Sequence, residues 1–390
     1  MKKIISFSLV FLFVLGCKNQ EISTLEDNES FLSDLSEVKS VIKKSHKTTF
    51  QLKKEADDLR ELYSKPKEQW PTPKIDYAHG GTFKEIGSLP LTVKFPNDNQ
   101  FSLQRAELGK ALFFDNKLSL DKNMSCFTCH DSQKNWTDGK QQAEGHNGVI
   151  LKRNSPTVVN SAHLPLLFWD GRAKSLEEQA SAVITNPNEL ASNPQLIEER
   201  LNASSFYKEK FKQAYNIDKI DINYVAKAIA TYERTIITKN QSPFDKFVSG
   251  QKTALTDGSI RGMHVFRTLG KCINCHNGPN FTDDKFHNLT LTYEQTDKED
   301  LGLYYITKNL EDWGKFKTPS LRNVKDTGPY MHNGVFIPLK KVLELYNDGM
   351  NGKDSHRSPL IRSLSLEDQE IADLEEFLGS LSEPVPQVKN

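Results

Sequence analysis

The sequence has no excess of charge of either sign, because 51 Lys and Arg residues balance 51 Asp and Glu residues in a chain of 390. Nucleic-acid-binding proteins usually carry a basic patch or stripe, so this balance argues against a nucleic-acid partner. Long apolar runs are also missing. The longest, from Ile4 to Leu15, is too short to span a bilayer as a helix, so an integral membrane protein is not expected.

The apolar run near the N-terminus predicts an export signal. Lys2 and Lys3 precede it and Gly16-Cys17 ends it, which gives a positive segment, an apolar segment of suitable length and a small residue. This end resembles the lipobox of bacterial lipoproteins, which implies a signal peptide over residues 1–17 and a lipidated Cys17. Ordinary secretory cleavage is the alternative. We expect a periplasmic protein, held at a bacterial membrane by the lipid anchor alone.

Cysteine is scarce, and apart from Cys17 it occurs only in two pairs. Each pair reads Cys-x-x-Cys-His: Cys126, Cys129 and His130, then Cys272, Cys275 and His276. This is the attachment signature of c-type haem, in which two cysteines on one helical face form thioethers and the histidine binds the iron. A four-cysteine zinc site is the alternative. The wide separation of the pairs, each with its own histidine, favours two covalently bound haem c groups.

The haem motifs belong to an internal repeat. A segment of the form [ST]-P-[ST]-apolar-x-Asn follows each motif and ends at Asn160 and at Asn323. Nine residues later the triplets Trp169-Asp170-Gly171 and His332-Asn333-Gly334 begin, and Leu176 and Leu339 each follow the triplet glycine by five residues. The repeat predicts two copies of one haem domain, with an insertion in the second.

The apolar periodicity is helical rather than strand-like. Residues from Val225 to Ile236 follow a helical stripe. Ser175 and Ser365 are predicted to open helices through capping boxes, and Thr256 to open a helix that leads to Cys272. A further amphipathic stretch runs from Phe31 to Ile42, so the N-terminal region is predicted to be a helical extension.

Several motifs, in order, resemble those of the bacterial di-haem cytochrome c peroxidases, including their MauG-like branch. They are Leu108 to Asp115, the first haem motif, Gly145-His146, Arg153 to Thr157, Phe168 to Arg172 and Pro329 to Gly334. The resemblance covers about residues 101 to 380. It implies a mainly α fold of two cytochrome-c-like domains. The predicted boundaries are 1–17 for the signal peptide, 18–100 for the extension, 101–240 for the first haem domain and 241–390 for the second.

The same resemblance implies roles for residues around the first haem, which would be the peroxide site. Glu189 would be the base that moves a proton between the peroxide oxygens, with Gln179 beside it. Trp169 would relay electrons between the haems, and His146 would be a ligand of the first iron that can swing away. Surface positions for Glu189, Gln179 and His146, and plain core packing for Trp169, are the alternatives.

The second iron departs from the pattern of most relatives, which place a methionine 14 residues after the position of His332. Tyr346 stands there, as in the MauG-like branch. An anionic oxygen ligand would favour ferric and higher oxidation states and so a low potential. Met350, one helical turn further, is an alternative ligand, and the other alternative is that neither residue binds the iron. The matching residue of the first half is Val183, which cannot bind iron.

Relatives also hold a calcium ion between the domains, and Asn154, Thr327 and Pro329 occupy the matching positions. No acidic ligand accompanies them. Arg153, Arg172 and Arg322 are candidates for pairing with haem propionates, and surface salt bridges are the alternative for each. Homodimer formation is implied by the resemblance alone.

The sequence thus predicts an exported di-haem cytochrome c peroxidase that reduces hydrogen peroxide to water at the first haem. Electrons would come through the second haem from a small periplasmic donor such as a cytochrome c or a cupredoxin. One alternative is a MauG-like di-haem oxidase of a protein or small-molecule substrate, which Tyr346 favours. The other is a non-catalytic di-haem electron carrier.

Overall fold

The structure, a computed structural model, describes residues 47–292, 299–350, 352 and 356–388. Cys17, the predicted signal peptide and the stretch from Phe31 to Ile42 lie outside these residues. The chain divides into a first unit, residues 1–51, and a second unit, residues 52–390, which contains both haem motifs. None of the helices in the described ranges is long and apolar enough to cross a membrane.

Helices dominate the fold, and the predicted mainly α class is confirmed. The α-helices are α1 Thr49–Tyr63, α2 Leu103–Phe113, α3 Cys126–Cys129, α4 Leu176–Thr185, α5 Pro194–Asn202, α6 Ser205–Tyr215, α7 Ile222–Glu233, α8 Pro243–Val248, α9 Asp257–Arg267, α10 Tyr304–Thr307, α11 Leu339–Asn347 and α12 Asp368–Gly379. The 3-10 helices are Lys67–Gln69, Tyr77–His79, Asn116–Leu118, Ser132–Lys134, His146–Gly148, Ser161–His163, Cys272–Asn274, Leu310–Asp312 and Val324–Asp326. Strands β1 Phe286–His287 and β2 Phe316–Lys317 pair antiparallel, with Phe286 opposite Lys317.

Side chains at the helix starts explain where several helices begin. Ser175 and Thr256 accept hydrogen bonds from backbone N–H groups in the first turns of α4 and α9, so both predicted N-caps are confirmed. The predicted capping box at Ser175 is not formed, because Glu178 accepts from the backbone N–H of Lys174 instead. The predicted cap at Ser365 is wrong, because Glu367 caps α12 and shares a capping box with Glu370. Ser365 instead has a φ of 59°, a turn conformation that precedes the helix.

Each half is built on two packed helices whose backbones touch at a glycine. In the first half α2 packs on α7, and a Cβ at Gly109 would lie 1.9 Å from the carbonyl oxygen of Ala228. In the second half α9 packs on α12, and a Cβ at Gly262 would lie 1.9 Å from the carbonyl oxygen of Asp373. Only glycine permits this approach. The matching contacts align α7 with α12, residue by residue.

Each half also has its own hydrophobic core, yet the end of the chain returns to the first half. Val385 belongs to the core around Trp136. The indole N–H of Trp136 donates to the carbonyl of Pro386 at 2.9 Å, and the backbone N–H of Val388 donates to Ser132 Oγ at 3.2 Å. Residues 385–388, although they lie within the predicted second haem domain, therefore help to stabilise the first.

The described part of the extension that belongs to the second unit packs on the second half. Tyr63 Oη lies 3.0 Å from His264 Nδ1, both within that half's core region. The backbone N–H of Asp76 donates to Asn274 Oδ1 at 2.7 Å. Because Asn274 lies between Cys272 and Cys275, the extension contacts the second haem motif itself.

Candidate functional site

The first haem motif forms one helical turn with its histidine at the end. Reciprocal hydrogen bonds between Ser125 and Thr128 start α3, Cys126–Cys129, and His130 follows directly. The ring Nδ1 of His130 lies 3.2 Å from the carbonyl oxygen of Trp136. Because a carbonyl can only accept, this contact places the ring proton on Nδ1 and leaves Nε2 for a metal.

The second motif repeats this arrangement. Nδ1 of His276 lies 3.0 Å from the carbonyl oxygen of Phe281. Trp136 and Phe281 both have left-handed backbones, with φ of 62° and 52°, and so occupy matching turns. Burial lowers the pKa of His130 and of His276. Both rings are therefore neutral, as iron binding requires.

Both turns belong to a repeat that the sequence reasoning missed. It reads Asn-aromatic-Thr-Asp at residues 135–138 and 280–283. A second backbone carbonyl accepts a hydrogen bond from each histidine and raises its pKa: that of Pro156 for His130 and that of Pro319 for His276. Both prolines belong to the predicted [ST]-P-[ST] repeat. The two repeats thus hold the histidines in the same way. An alignment of the segments after each haem motif reveals the Asn-aromatic-Thr-Asp repeat.

The first motif opens on a cavity of about 610 Å³. Cys126, Cys129 and His130 share its wall with apolar side chains such as Val159 and Leu164. Two thiols, an imidazole and an apolar lining fit a covalently attached porphyrin of ordinary cofactor size. The second motif has the same local geometry, so the residues of both motifs fit haem c.

The zinc alternative is not supported by the geometry. Cys126 packs against the first core and Cys272 against the second. In the parts of the chain that the structure describes, the only group of three or more His, Cys, Asp or Glu residues close enough to hold a metal is Cys275, Asp283 and His287. That group contains one haem-motif cysteine, so the four cysteines do not form one site.

Glu189, Gln179 and Trp169 line the same cavity as the first motif. Glu189 lies just beyond the end of α4, where the side chain of Asn186 donates a 2.9 Å hydrogen bond to its Oε1. Burial raises the pKa of Glu189, although the charge of Arg172 partly offsets this effect. The structure therefore brings the predicted base, the predicted amide and the predicted relay to one cavity.

His146 is not among the side chains that line this cavity. Its ring Nδ1 lies 3.6 Å from the carboxylate of Asp121. Its backbone N–H donates to the carbonyls of Asn188 and Glu189, at 3.2 and 3.1 Å. A Cβ at the preceding Gly145 would lie 1.8 Å from the carbonyl oxygen of Asn188, so glycine is required there. The backbone of the His146 loop is thus packed on the Glu189 loop, whereas the imidazole ring of His146 lies beside Asp121, away from the cavity wall.

Tyr346 lies close to the second pair of cysteines. Burial, followed by the charges of Cys275 and Cys272, raises the pKa of Tyr346. Its side chain packs against the second core, whereas Met350, also buried, lies outside that cluster. Leu176 and Leu339 both begin helices, which confirms that Val183 of α4 matches Tyr346 of α11. Val183 lines the first cavity and offers iron no ligand.

Asn154, from the first half, lines the first cavity together with Thr327 and Pro329, from the second half. The side-chain N–H of Asn154 donates to the carbonyl of Lys140 at 2.8 Å, so a cation would bind its Oδ1. Lys317, which the sequence reasoning missed, lines the same cavity and is buried. Its ammonium group would weaken the binding of a cation nearby.

The three candidate arginines bind protein carboxylates. Each ion pair has a distance between 2.6 and 2.9 Å: Arg153 with Asp170 and Asp300, Arg172 with Asp170, and Arg322 with Asp245. Arg153 thereby joins the first half to the insertion of the second. All three form salt bridges, but the pair of Arg322 with Asp245 is buried rather than at the surface, and pairing with haem propionates stays a prediction.

The two halves meet through a matching pair of backbone hydrogen bonds. The N–H of Asn154 donates to the carbonyl of His332 at 2.7 Å, and the N–H of Lys317 donates to the carbonyl of Trp169 at 2.8 Å. Asn154 and Lys317 precede the two [ST]-P-[ST] segments, and Trp169 and His332 begin the two triplets. The repeat therefore forms an approximately two-fold interface, comparable to that of a symmetric dimer.

Comparison with known proteins identifies the family. The family model described as di-haem cytochrome c peroxidase matches residues 103–253. The cytochrome-c peroxidase IdrP1 of Pseudomonas sp. (strain SCT) is 38% identical over 329 residues, with 77% of this chain and 86% of that protein covered. The methylamine utilization protein MauG of Methylophilus methylotrophus is 36% identical over 301 residues, with 77% and 87% covered. The cytochrome c551 peroxidase of Pseudomonas aeruginosa is 33% identical over 325 residues, with 82% and 90% covered.

Solved structures agree on the fold. The crystal structure of a MauG-like protein associated with microbial copper homeostasis superposes with a TM-score of 0.70 at 28% identity, covering 76% of this chain and 95% of that one. The di-haem peroxidase BthA from Burkholderia thailandensis E264 gives a TM-score of 0.61 at 20% identity, covering 78% and 96%. With relatives above 30% identity over most of its length, the chain belongs to the di-haem cytochrome c peroxidase family.

Proposed function

We propose that this protein is an oxidoreductase that reduces hydrogen peroxide to water in the cavity of the first haem motif, with electrons arriving through the second. The contrast between Val183 and Tyr346 carries this proposal. At matching positions the first cavity has an aliphatic side chain, and the second haem motif has a phenol. Peroxide needs an iron with an open position, and the first half can provide one.

Bound haem would supply an iron that takes up peroxide and passes electrons to it. The residues of the chain supply the proton transfer. Glu189 would accept a proton from one peroxide oxygen and return it to the other, which then leaves as water. The side chain of Asn186 holds Glu189 in place, and Gln179 would orient the oxygens by hydrogen bonding. Two electrons and two protons convert one hydrogen peroxide into two waters.

Trp169 and His332 are proposed to lie on the electron path between the two motifs. They occupy matching positions at the interface of the halves, and their backbone carbonyls accept the two hydrogen bonds that join the halves. The indole N–H of Trp169 donates to the carbonyl of Asn154 at 3.0 Å, which holds the ring in place.

We propose that His146 does not bind the first iron and that no reductive activation is needed. Its ring lies beside Asp121 and outside the cavity wall. The test is to mix peroxide with the fully oxidised and the half-reduced protein and to follow peroxide consumption with a reduced small cytochrome c as donor. We expect turnover from both states. Absence of peroxide consumption in both would refute the peroxidase proposal.

A second candidate function is that of a MauG-like di-haem oxidase, which would oxidise a protein or a small organic substrate. Tyr346 favours it, since an oxygen ligand would stabilise high oxidation states of the second iron. A peroxide-dependent product from an added phenol or indole, formed without an electron donor, would support this function. Oxidation of the added cytochrome c without such a product would support the reduction of hydrogen peroxide.

We further propose export to the periplasm, with residues 1–17 removed and Cys17 lipidated. Fractionation of cells expressing the full chain and Cys17→Ala tests the anchor, because only the former should sediment with membranes. Asn154, Thr327 and Pro329 are the proposed calcium site, which equilibrium dialysis can test. A small cytochrome c or cupredoxin is the proposed donor, and a homodimer is the proposed assembly.

A further inference from the structure

A second carboxyl group lines the cavity of the first haem motif. Glu233, the last residue of α7, is 4% exposed, and its Oε2 is buried without a hydrogen-bond partner among the described residues. Its charge acts on Cys126, so it lies at the edge of the cavity where the porphyrin would be attached. A buried carboxylate without a partner is unfavourable, so its presence needs an explanation.

No cation among the described residues forms an ion pair with Glu233. The adjacent Arg234 is engaged by Glu177 through two hydrogen bonds of 2.7 and 2.8 Å, and Glu177 adds a negative charge of its own. Among the described residues, Glu233 also interacts with Tyr232 and with Cys126, whose sulfur carries no charge once it forms a thioether to haem. Burial raises the pKa of Glu233 to about 8, although the charge of Arg234 lowers it somewhat. The carboxyl group therefore holds its proton near neutral pH.

The internal repeat shows that the fold does not need a carboxyl group at this position. The contacts of Gly109 with Ala228 and of Gly262 with Asp373 align α7 with α12. In this alignment Leu378 is the counterpart of Glu233, because each lies five residues beyond the aligned residue, Asp373 or Ala228. Leu378 is buried in the second core. A leucine is thus compatible with the architecture, and the glutamate occurs only in the half with the open cavity.

We propose that Glu233 takes up a proton when the haem held by Cys126, Cys129 and His130 takes up an electron. One electron from a reduced donor protein, arriving through the second haem, would reduce iron(III) to iron(II), and one proton from solvent would convert the Glu233 carboxylate to the carboxylic acid; reoxidation would release both. The physical reason is charge balance, because ferric haem carries one more positive charge than ferrous haem and so favours the carboxylate in a low-dielectric cavity. The inference needs the haem to be bound but does not depend on peroxidase turnover.

The test is a potentiometric titration of the purified di-haem protein at several pH values from about 5 to 9, because the charge of ferric haem lowers the pKa of Glu233 below the value of about 8. In the wild type, the potential of the first haem should fall with pH, by up to about 59 mV for each tenfold drop in proton concentration. In Glu233→Gln and Glu233→Leu this slope should vanish, while the potential of the second haem keeps its wild-type pH dependence.

Glu107→Gln is the matched control, because Glu107 is an exposed glutamate on α2 with 56% of its side chain accessible. It should keep the wild-type slope. A first-haem potential that is independent of pH in the wild type, or an unchanged slope in Glu233→Gln, would overturn the proposal. Glu233→Gln is isosteric, so it decides the question even if Glu233→Leu is not loaded with haem.

Discussion

Trp169 and His332 lie edge to face across the junction of the two halves, with ring centroids 6.5 Å apart and planes at 69°. They are the matching first residues of the two triplets. Each follows a residue with positive φ, Phe168 at 64° and Met331 at 74°, so the two turns have the same shape. His332 also stacks on Phe316, at 3.5 Å between centroids. Burial lowers the pKa of His332 to about 3, so its ring is neutral in this contact.

Replacement of Trp169 by Phe should slow electron transfer between the two haems by about tenfold or more, which corresponds to roughly 1.4 kcal/mol of barrier. The change removes the indole and its hydrogen bond to Asn154. Flash reduction of the second haem, followed by the rise of the reduced first haem, measures this rate directly. Trp70→Phe is the matched control, because its indole N–H also donates to a backbone carbonyl, that of Lys65 at 2.9 Å. An equal rate in both variants would contradict the role of Trp169.

Replacement of Glu189 by Gln should lower kcat for peroxide reduction by about 10²- to 10⁴-fold, the usual effect of losing a general base. Glu178→Gln, on the exposed face of α4, should have little effect. The pKa of Glu189 is raised, so its base form is lost as pH falls through that raised pKa. The acid limb of the wild-type kcat/KM profile should therefore lie above the ordinary glutamate value of about 4.3. A limb at or below that value would exclude Glu189.

Replacement of Tyr346 by Phe should remove one ligand of the second iron and convert its low-spin EPR signal to high spin. Tyr63→Phe is the control, since Tyr63 is a buried tyrosine of the same core. A near-infrared band of a methionine-ligated iron in the wild type would instead assign the ligand to Met350.

Replacement of Arg153 by Leu should lower the free energy of unfolding by about 3–5 kcal/mol, because it leaves the buried carboxylate of Asp300 without its cation, whereas Asp170 keeps Arg172. Lys140→Leu, which breaks an exposed ion pair with Glu144, should lower it far less, because solvent screens an exposed pair. Denaturant unfolding of both variants measures the difference.

The same ion pair predicts a dependence of stability on pH. Burial alone would raise the pKa of Asp300, but the hydrogen bonds and charge of Arg153 bring it below its usual value. A lowered pKa means that the stabilisation is complete above the unfolded-state value of about 3.9 and is lost as pH falls through the folded-state value. Wild type should therefore lose more stability than Arg153→Leu below about pH 4. Equal losses would contradict this assignment.

The sequence predicted the parts of the site that depend on local spacing. The two haem motifs and the N-caps at Ser175 and Thr256 follow from patterns within a few residues. The mainly α fold followed from periodicity and family resemblance together. The cap at Ser365 failed because a turn places that residue before the helix, a backbone preference that the serine itself does not reveal.

The features that sequence reasoning missed depend on distant contacts. Glu233 looks like an ordinary residue of a helical stripe, and only the packing of α7 shows that its carboxyl group is buried in the cavity. Lys317 is likewise defined by the interface of the halves. The return of Val385 to the first core could not be predicted, because a short C-terminal segment carries no signal of where it packs.

The EPR spectrum of the fully oxidised protein, with spin quantification against protein concentration, tests most directly that two haems are bound and that one iron is open. We predict one high-spin signal from the haem of His130 and one low-spin signal from the haem of His276, in equal amounts. Two low-spin signals, or less than two haem irons per chain, would contradict it.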